Sequence, residues 1–182
     1  MPSMFRIILA VLVAALVAAC ATSPPAQQRE IYYFDCDVPP GRFSEWNRTV
    51  QGSEVRVSGT IELSESRRDP SWGAVANVFV TGSEASSTAG FRLFIDAQAP
   101  DLVDVLLVRP GEPSAGDALI SSPWRGEAVP FTVSFNQSGD LNVAVAGKSQ
   151  SVHFGGFRPQ AVALSCSTGQ FKYRGVSVDV AR

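Results

Sequence analysis

The chain carries few side chains able to do chemistry at neutral pH. It has one histidine, His153, and three cysteines, Cys20, Cys36 and Cys166. That inventory excludes zinc sites built from several imidazoles or four thiolates. His153 stands between Val152 and Phe154. Strand alternation places it on a polar face, and no Gly-x-Ser-x-Gly elbow accompanies it. A retaining glycosidase needs two carboxylates about 5 Å apart on one face. Glu62 and Glu65 are three residues apart, so a strand turns them to opposite sides. Asp35 and Asp37 share a face, but they flank Cys36 and precede Pro39-Pro40, and they read as solvated edge charges. Asp96 to Asp104 holds three Asp, but Pro100 and apolar residues interrupt them, which fits no calcium loop. The turn Asn136 to Asp140 reads as a plain hairpin rather than an ion site. No cofactor or metal is expected, and no catalytic set.

Binding chemistry is better represented. Sugar C–H faces stack on aromatic rings, beside planar polar groups that bond hydroxyls. Trp124 and Arg125 sit in Ser122-Pro123-Trp124-Arg125-Gly126, within the longest irregular stretch, Pro110 to Glu127. Loops of that length commonly carry function. Trp72 also lies beside a loop. These three residues are the expected ligand contacts, against the alternative that each Trp closes one end of the core. Trp46 follows Phe43 closely and is expected to pack.

The elements that must position such residues are strands. Val55, Val57, Ile61 and Leu63 alternate with Arg56, Ser58, Thr60 and Glu62, a period of two with one wet face. Val129 to Phe135 repeats the pattern, and Leu141, Val143 and Val145 resume it after the Gly139-containing turn. Ala74 to Val80 is nearly all apolar and reads as a central strand. Phe91 to Ile95, Leu102 to Val108, Ser151 to Phe154, Ala161 to Cys166 and Gly175 to Val180 follow, with Ile31 to Cys36 opening the series. No mature segment shows a helical stripe. About ten short strands with turn residues between them indicate an all-β, two-sheet antiparallel sandwich of the jelly-roll kind.

Of the 182 residues, 15 are basic and 17 acidic, and 45 % are hydrophobic. The net charge of -2 opposes nucleic-acid binding. The apolar content supports one folded domain.

The N-terminus has a different character. Ile7 to Ala19 is thirteen uncharged apolar residues after Arg6. That is too short to span a bilayer core, which needs roughly 20, and it reads as a secretory signal. Its end, Val17-Ala18-Ala19-Cys20, resembles the lipobox of bacterial lipoproteins. The resemblance implies cleavage before Cys20, a diacylglyceryl group on its sulfur, and acylation (palmitate, for example) of the new amine. Ala21, in place of Asp, is similar to the default outer-membrane sorting signal of Gram-negative lipoproteins. The expected organisation is a signal peptide over 1–19, a lipidated Cys20 with a flexible tether over 20–29, and a β-sandwich over 30–182. A tether of that length reaches about 30 Å at most, at ~3.3 Å per residue.

The strand order resembles the concanavalin A-like lectin/glucanase superfamily: Val55 to Leu63, Trp72 before a buried strand, Phe91 to Ile95, then the hairpin of Val129 to Phe135 and Leu141 to Val145. The resemblance implies a carbohydrate-binding or glucanase-like sandwich. With Cys20 taken by lipid, Cys36 and Cys166 remain, each in phase with the apolar side of its strand, and export favours a disulfide between them. The expected role is a membrane-anchored, non-catalytic envelope module that binds glycan. The alternatives are a structural or protein-interaction component of the envelope, and an unusual glycoside hydrolase.

Overall fold

A computed structural model describes residues 30–83, 87–111, 118–123 and 126–181. The signal segment, Cys20, the tether, Trp124 and Arg125 lie outside the described residues. Ten strands run through the rest: β1 (Glu30–Thr49), β2 (Glu54–Ser66), β3 (Ala74–Thr81), β4 (Thr88–Ile95), β5 (Leu102–Val108), β6 (Ala118–Pro123), β7 (Val129–Phe135), β8 (Asp140–Val145), β9 (Lys148–His153) and β10 (Ala161–Ala181). Every pairing is antiparallel.

The two long strands turn one continuous ladder into two layers. The first part of β10, Ala161 to Ser167, pairs with β3, and the part from Gly169 to Ala181 pairs with β2. β1 lines the other edge of β10 through both parts. One sheet therefore runs β6-β5-β4-β3-β10-β1, and the other runs β9-β8-β7-β2-β10-β1. We call them sheet I and sheet II. The bend has a local cause in each strand. In β1 the register shifts between Val38 and Phe43, across Pro39-Pro40-Gly41, where proline has no N–H to give. In β10, Thr168 takes φ 53°, and a Cβ at Gly169 would stand 2.6 Å from the Glu65 carbonyl oxygen.

The disulfide joins Cys36 to Cys166, with Cα atoms 6.0 Å apart and a sequence separation of 130. Cys36 precedes the bend of β1 in sheet II, and Cys166 precedes the bend of β10 in sheet I. The bridge therefore staples the two sheets at their shared edge. At that edge Trp46 packs inward on Tyr32, ring centroids 4.8 Å apart, with the Arg48 guanidinium 5.3 Å from the Tyr32 ring centre.

Alternation decides what fills the core. Val55, Val57 and Ile61 of β2, Ala76, Val78 and Val80 of β3, and Phe131, Val133 and Phe135 of β7 are all buried. Phe91 of sheet I meets Phe131 of sheet II at 5.6 Å. Tyr173 spans the layers. Its ring stacks on Phe34 at 5.6 Å, and its hydroxyl reaches the carbonyls of Ser165 (2.6 Å) and Asn77 (3.1 Å) in sheet I. Burial raises its phenol far above the ordinary range.

Three sequence expectations change. Ala161 to Cys166 and Gly175 to Val180 belong to one 21-residue strand, and β1 continues through Pro39-Pro40 to Thr49. Pro110 to Glu127 is not wholly irregular, because β6 lies inside it and pairs with β5. Trp46 lies inside β1 and packs as expected. Phe43, two residues upstream of Glu45, turns outward instead.

Candidate functional site

The residues expected to carry acid–base chemistry stand apart from one another. Glu62 pairs with Arg174 at 2.9 Å and Glu65 with Arg67 at 2.7 Å, so each carboxylate is held by its own cation. Asp37 shares Arg67, and Asp35 accepts from Gln170. His153 is exposed, and its Nδ1 lies 2.8 Å from Asp140 Oδ1. Asp140 also accepts from the Asn136 amide at 3.1 Å, and its own N–H donates to Asn136 Oδ1 at 2.9 Å. The hydrogen bonds from His153 and Asn136 hold its carboxyl below the usual range. This arrangement closes the β7–β8 hairpin, as the turn composition suggests. Asp96 serves its own turn, accepting from the Gln98 N–H at 2.8 Å. Among the described residues, no group of three His, Cys, Asp or Glu is placed to hold a metal ion.

A different constellation lies on the outward face of sheet I. In β3 the inward residues are Ala76, Val78 and Val80, so Val75, Asn77 and Phe79 point outward. Register then lays out three parallel rows across the sheet. The middle row runs Glu45, Ser165, Asn77, Arg92, Leu106. One neighbouring row runs Phe43, Ser167, Val75, Phe94, Asp104, and the other runs Asn47, Ala163, Phe79, Gly90, Val108. Phenylalanines thus stand on both sides of a polar strip.

The strip is a built relay. The Asn77 amide donates to Ser165 Oγ at 2.9 Å, and Asn77 Oδ1 accepts from Arg92 Nε at 2.8 Å. Asn77 is 5 % exposed and Ser165 is 1 % exposed, recessed between larger neighbours. Asn77 is therefore committed to orienting Arg92. The planar guanidinium keeps its two terminal NH₂ groups for a further partner. Desolvation holds Arg92 below the ordinary arginine range. Gly90, opposite Phe79, brings no side chain to this surface, and a Cβ there would lie 2.1 Å from the Val78 carbonyl oxygen. The chemistry this face offers is a fixed, partly dehydrated set of donors between aromatic rings. Such donors can take hydroxyl or carboxylate oxygens of a ligand whose apolar face stacks on the rings.

Trp72 belongs to the end of this face. It is 59 % exposed, so it does not close the core. Its neighbour Gly73 lies under Phe94, whose Cε2 would sit 2.6 Å from a Cβ at Gly73. β6 ends at Pro123, opposite Leu102, at the same end of sheet I. Trp124 and Arg125, which follow Pro123, lie outside the described residues. The sequence reading missed Arg92 and Asn77. The available signal was an Asn in the middle of an apolar strand, AVANVFVT, in phase with its outward positions. Arg92 is likewise the one charge in TAGFRLFI.

No protein-family model matches the sequence, and no curated relative does. Solved structures share the architecture at low identity. The A. japonicus protein CB05 superposes with TM-score 0.56 and 10 % identity over 86 % of this chain and 26 % of its own. The fructofuranosidase from Schwanniomyces occidentalis, solved with fructosylnystose, gives 0.52 and 10 % over 86 % of this chain and 34 % of its own. The CBM2 module of the evolved Dit of Lactobacillus casei phage J-1 gives 0.51 and 9 %, covering 74 % and 68 %. At such identities the likeness establishes the two-sheet antiparallel β-sandwich fold.

Proposed function

We propose that this chain is a lipid-anchored, non-catalytic glycan-binding module of a bacterial cell envelope. The observation that carries the reading is the Ser165–Asn77–Arg92 relay on an outward sheet face, with Phe79 on one side and Phe94 on the other. A purely structural sheet face has no need to bury an Asn in order to aim an Arg. Trp72 extends the aromatic surface at one end, and Trp124 with Arg125 follow β6, which ends at that same end of sheet I. The fructofuranosidase named above, solved with fructosylnystose, carries the same fold, which supports a carbohydrate ligand. The lipobox-like Val17-Ala18-Ala19-Cys20 supports anchoring through Cys20, and Ala21 supports the outer membrane of a Gram-negative cell. A short tether then holds the module near the membrane surface.

The test uses the full chain, purified in detergent, on a broad array of neutral glycans, with Trp emission as a second readout. Trp72→Ala is expected to weaken the best ligand at least tenfold while leaving the melting temperature nearly unchanged. Arg92→Met is expected to weaken it similarly. Full retention of binding in both variants contradicts the assignment. Labelling with an alkynyl palmitate analogue, lost in Cys20→Ala, tests the anchor.

One observation favours a protein-interaction role as the second reading. Ile31 and Tyr33 are 70 % and 57 % exposed on β1, which is the outermost strand of both sheets. Co-purification of a stoichiometric protein with the native lipidated chain, abolished by Ile31→Asp, would favour it.

A further inference from the structure

At the end of the sandwich opposite Trp72, three connections converge: residues 50–53 between β1 and β2, the β7–β8 turn, and residues 154–160 between β9 and β10. They enclose a cleft of about 760 Å³, within the size range of ligand sites. Backbone hydrogen bonds tie the three together. The Val50 N–H donates to Gln160 O at 2.8 Å, the Gln160 N–H to Thr81 O at 2.8 Å, and the Phe154 N–H to Gly139 O at 2.7 Å. Phe157 is anchored on Phe135, ring centroids 4.7 Å apart. These contacts fix the walls to one another, which lowers the ordering cost of binding.

The lining has a distinct chemistry. Gln51, Gln137 and Gln160 present carboxamides, and Arg158 is the single charged residue among those lining the cleft. No carboxylate lines it, in a chain whose net charge is -2. Among the described residues, none of these four side chains has a hydrogen-bond or ion-pair partner. Arg158 also borders a second cleft, of about 490 Å³, shared with His153 and Phe154. An unpaired guanidinium beside three carboxamides provides one bidentate anion contact and several hydroxyl contacts.

We propose that this cleft is a second binding site, for a saccharide that bears a carboxylate. Arg158 would take the carboxylate, and Gln51, Gln137 and Gln160 would take ring hydroxyls. The proposal rests on the glycan reading only for its ligand class, because the site shares no residue with the sheet I face. The experiment is calorimetric titration of the full chain in detergent with galacturonate, glucuronate and mannuronate oligomers, each beside its methyl ester. At least one acid is expected to bind roughly tenfold or more tighter than its ester, since the ester removes the charge-assisted pair. Arg158→Met should abolish that difference, added salt should shrink it, and Arg92→Met should leave it unchanged. The proposal is overturned if no acid binds, if acid and ester bind alike, or if Arg158→Met retains the preference. Loss in Arg92→Met alone would overturn this site while upholding the sheet I face. Acid binding that survives Arg92→Met but is lost in Arg158→Met upholds the cleft whatever becomes of the other face.

Discussion

The Tyr173 hydroxyl gives the sharpest stability test, because it is the polar link between the layers directly behind the relay. It is fully buried and lies 2.6 Å from the Ser165 carbonyl and 3.1 Å from the Asn77 carbonyl. It has one proton, so it donates fully to one of them, and the shorter contact takes it. Tyr173→Phe keeps the ring and its stack on Phe34. What is lost is one buried hydrogen bond, about 1 kcal/mol, together with a carbonyl left short of a partner. We therefore expect a loss of about 1–2 kcal/mol at pH 7. In a domain of this size each kcal/mol moves Tm by roughly 2–4 °C, so Tm should fall by roughly 3–6 °C. The pH dependence sharpens the test. The folded phenol is raised above the unfolded value near 10, so the parent's stability from this group is present below pH 10. It is lost as pH rises, by about 1.4 kcal/mol per unit above the unfolded pKa. The Phe variant has no such term. The gap between parent and variant should close by about pH 11. Thermal unfolding followed by circular dichroism at pH 7, 9 and 11 reads this directly. An unchanged Tm at pH 7, or a gap that stays constant to pH 11, would refute a buried inter-sheet hydroxyl.

Three further perturbations test the fold. Replacing Cys36 and Cys166 together by Ala removes a cross-link over 130 residues, worth up to ~5 kcal/mol by loop-closure entropy. Oxidised parent and double variant should differ in Tm by up to about 10–20 °C, and a reduced parent should match the variant. Gly90→Ala forces a Cβ to 2.1 Å from the Val78 carbonyl at φ 149° and should cost several kcal/mol, whereas Gly147→Ala, at φ 77° with nothing within 4 Å, should cost only about 1–2 kcal/mol. Chemical denaturation of the pair checks the contrast, and equal losses would contradict the register of β3 against β4. On the acid side, His153 holds the Asp140 carboxyl low and Arg67 does the same for Glu65. Both contributions are present above the unfolded carboxylate range and are lost as pH falls through the depressed folded values. Stability should decline below about pH 5, and Asp140→Asn should flatten that decline.

Much of the fold was legible because half-buried strands print a period of two. β2 and β7 show it plainly, and the Gly139 turn separates β7 from β8 as composition suggests. The disulfide was legible because Cys36 and Cys166 each lie in phase with the core face of their strand. β6 was not legible. It is a six-residue edge strand, paired on one side only, and none of its described residues is fully buried, so no alternation is imposed on Ala-Leu-Ile-Ser-Ser-Pro. The length of β10 was hidden because its bend needs Ser-Thr-Gly-Gln, residues that read as a turn. The relay was hidden for a different reason. Asn77 and Arg92 lie fifteen residues apart in sequence and meet only through the register of β3 on β4. Trp72, by contrast, was flagged by type alone, and its exposure agrees with a surface role.

The central claim is that the outward face of sheet I receives glycan. The most direct measurement is two-dimensional NMR of the full chain in detergent micelles, titrated with the best neutral glycan from the array. The expected result is saturable shifts confined to Asn77, Phe79, Arg92, Phe94 and Trp72, with the Arg92 guanidinium signals moving most. Saturable binding that leaves these resonances still and moves the outward residues of sheet II, such as Thr60 and Thr132, would contradict it.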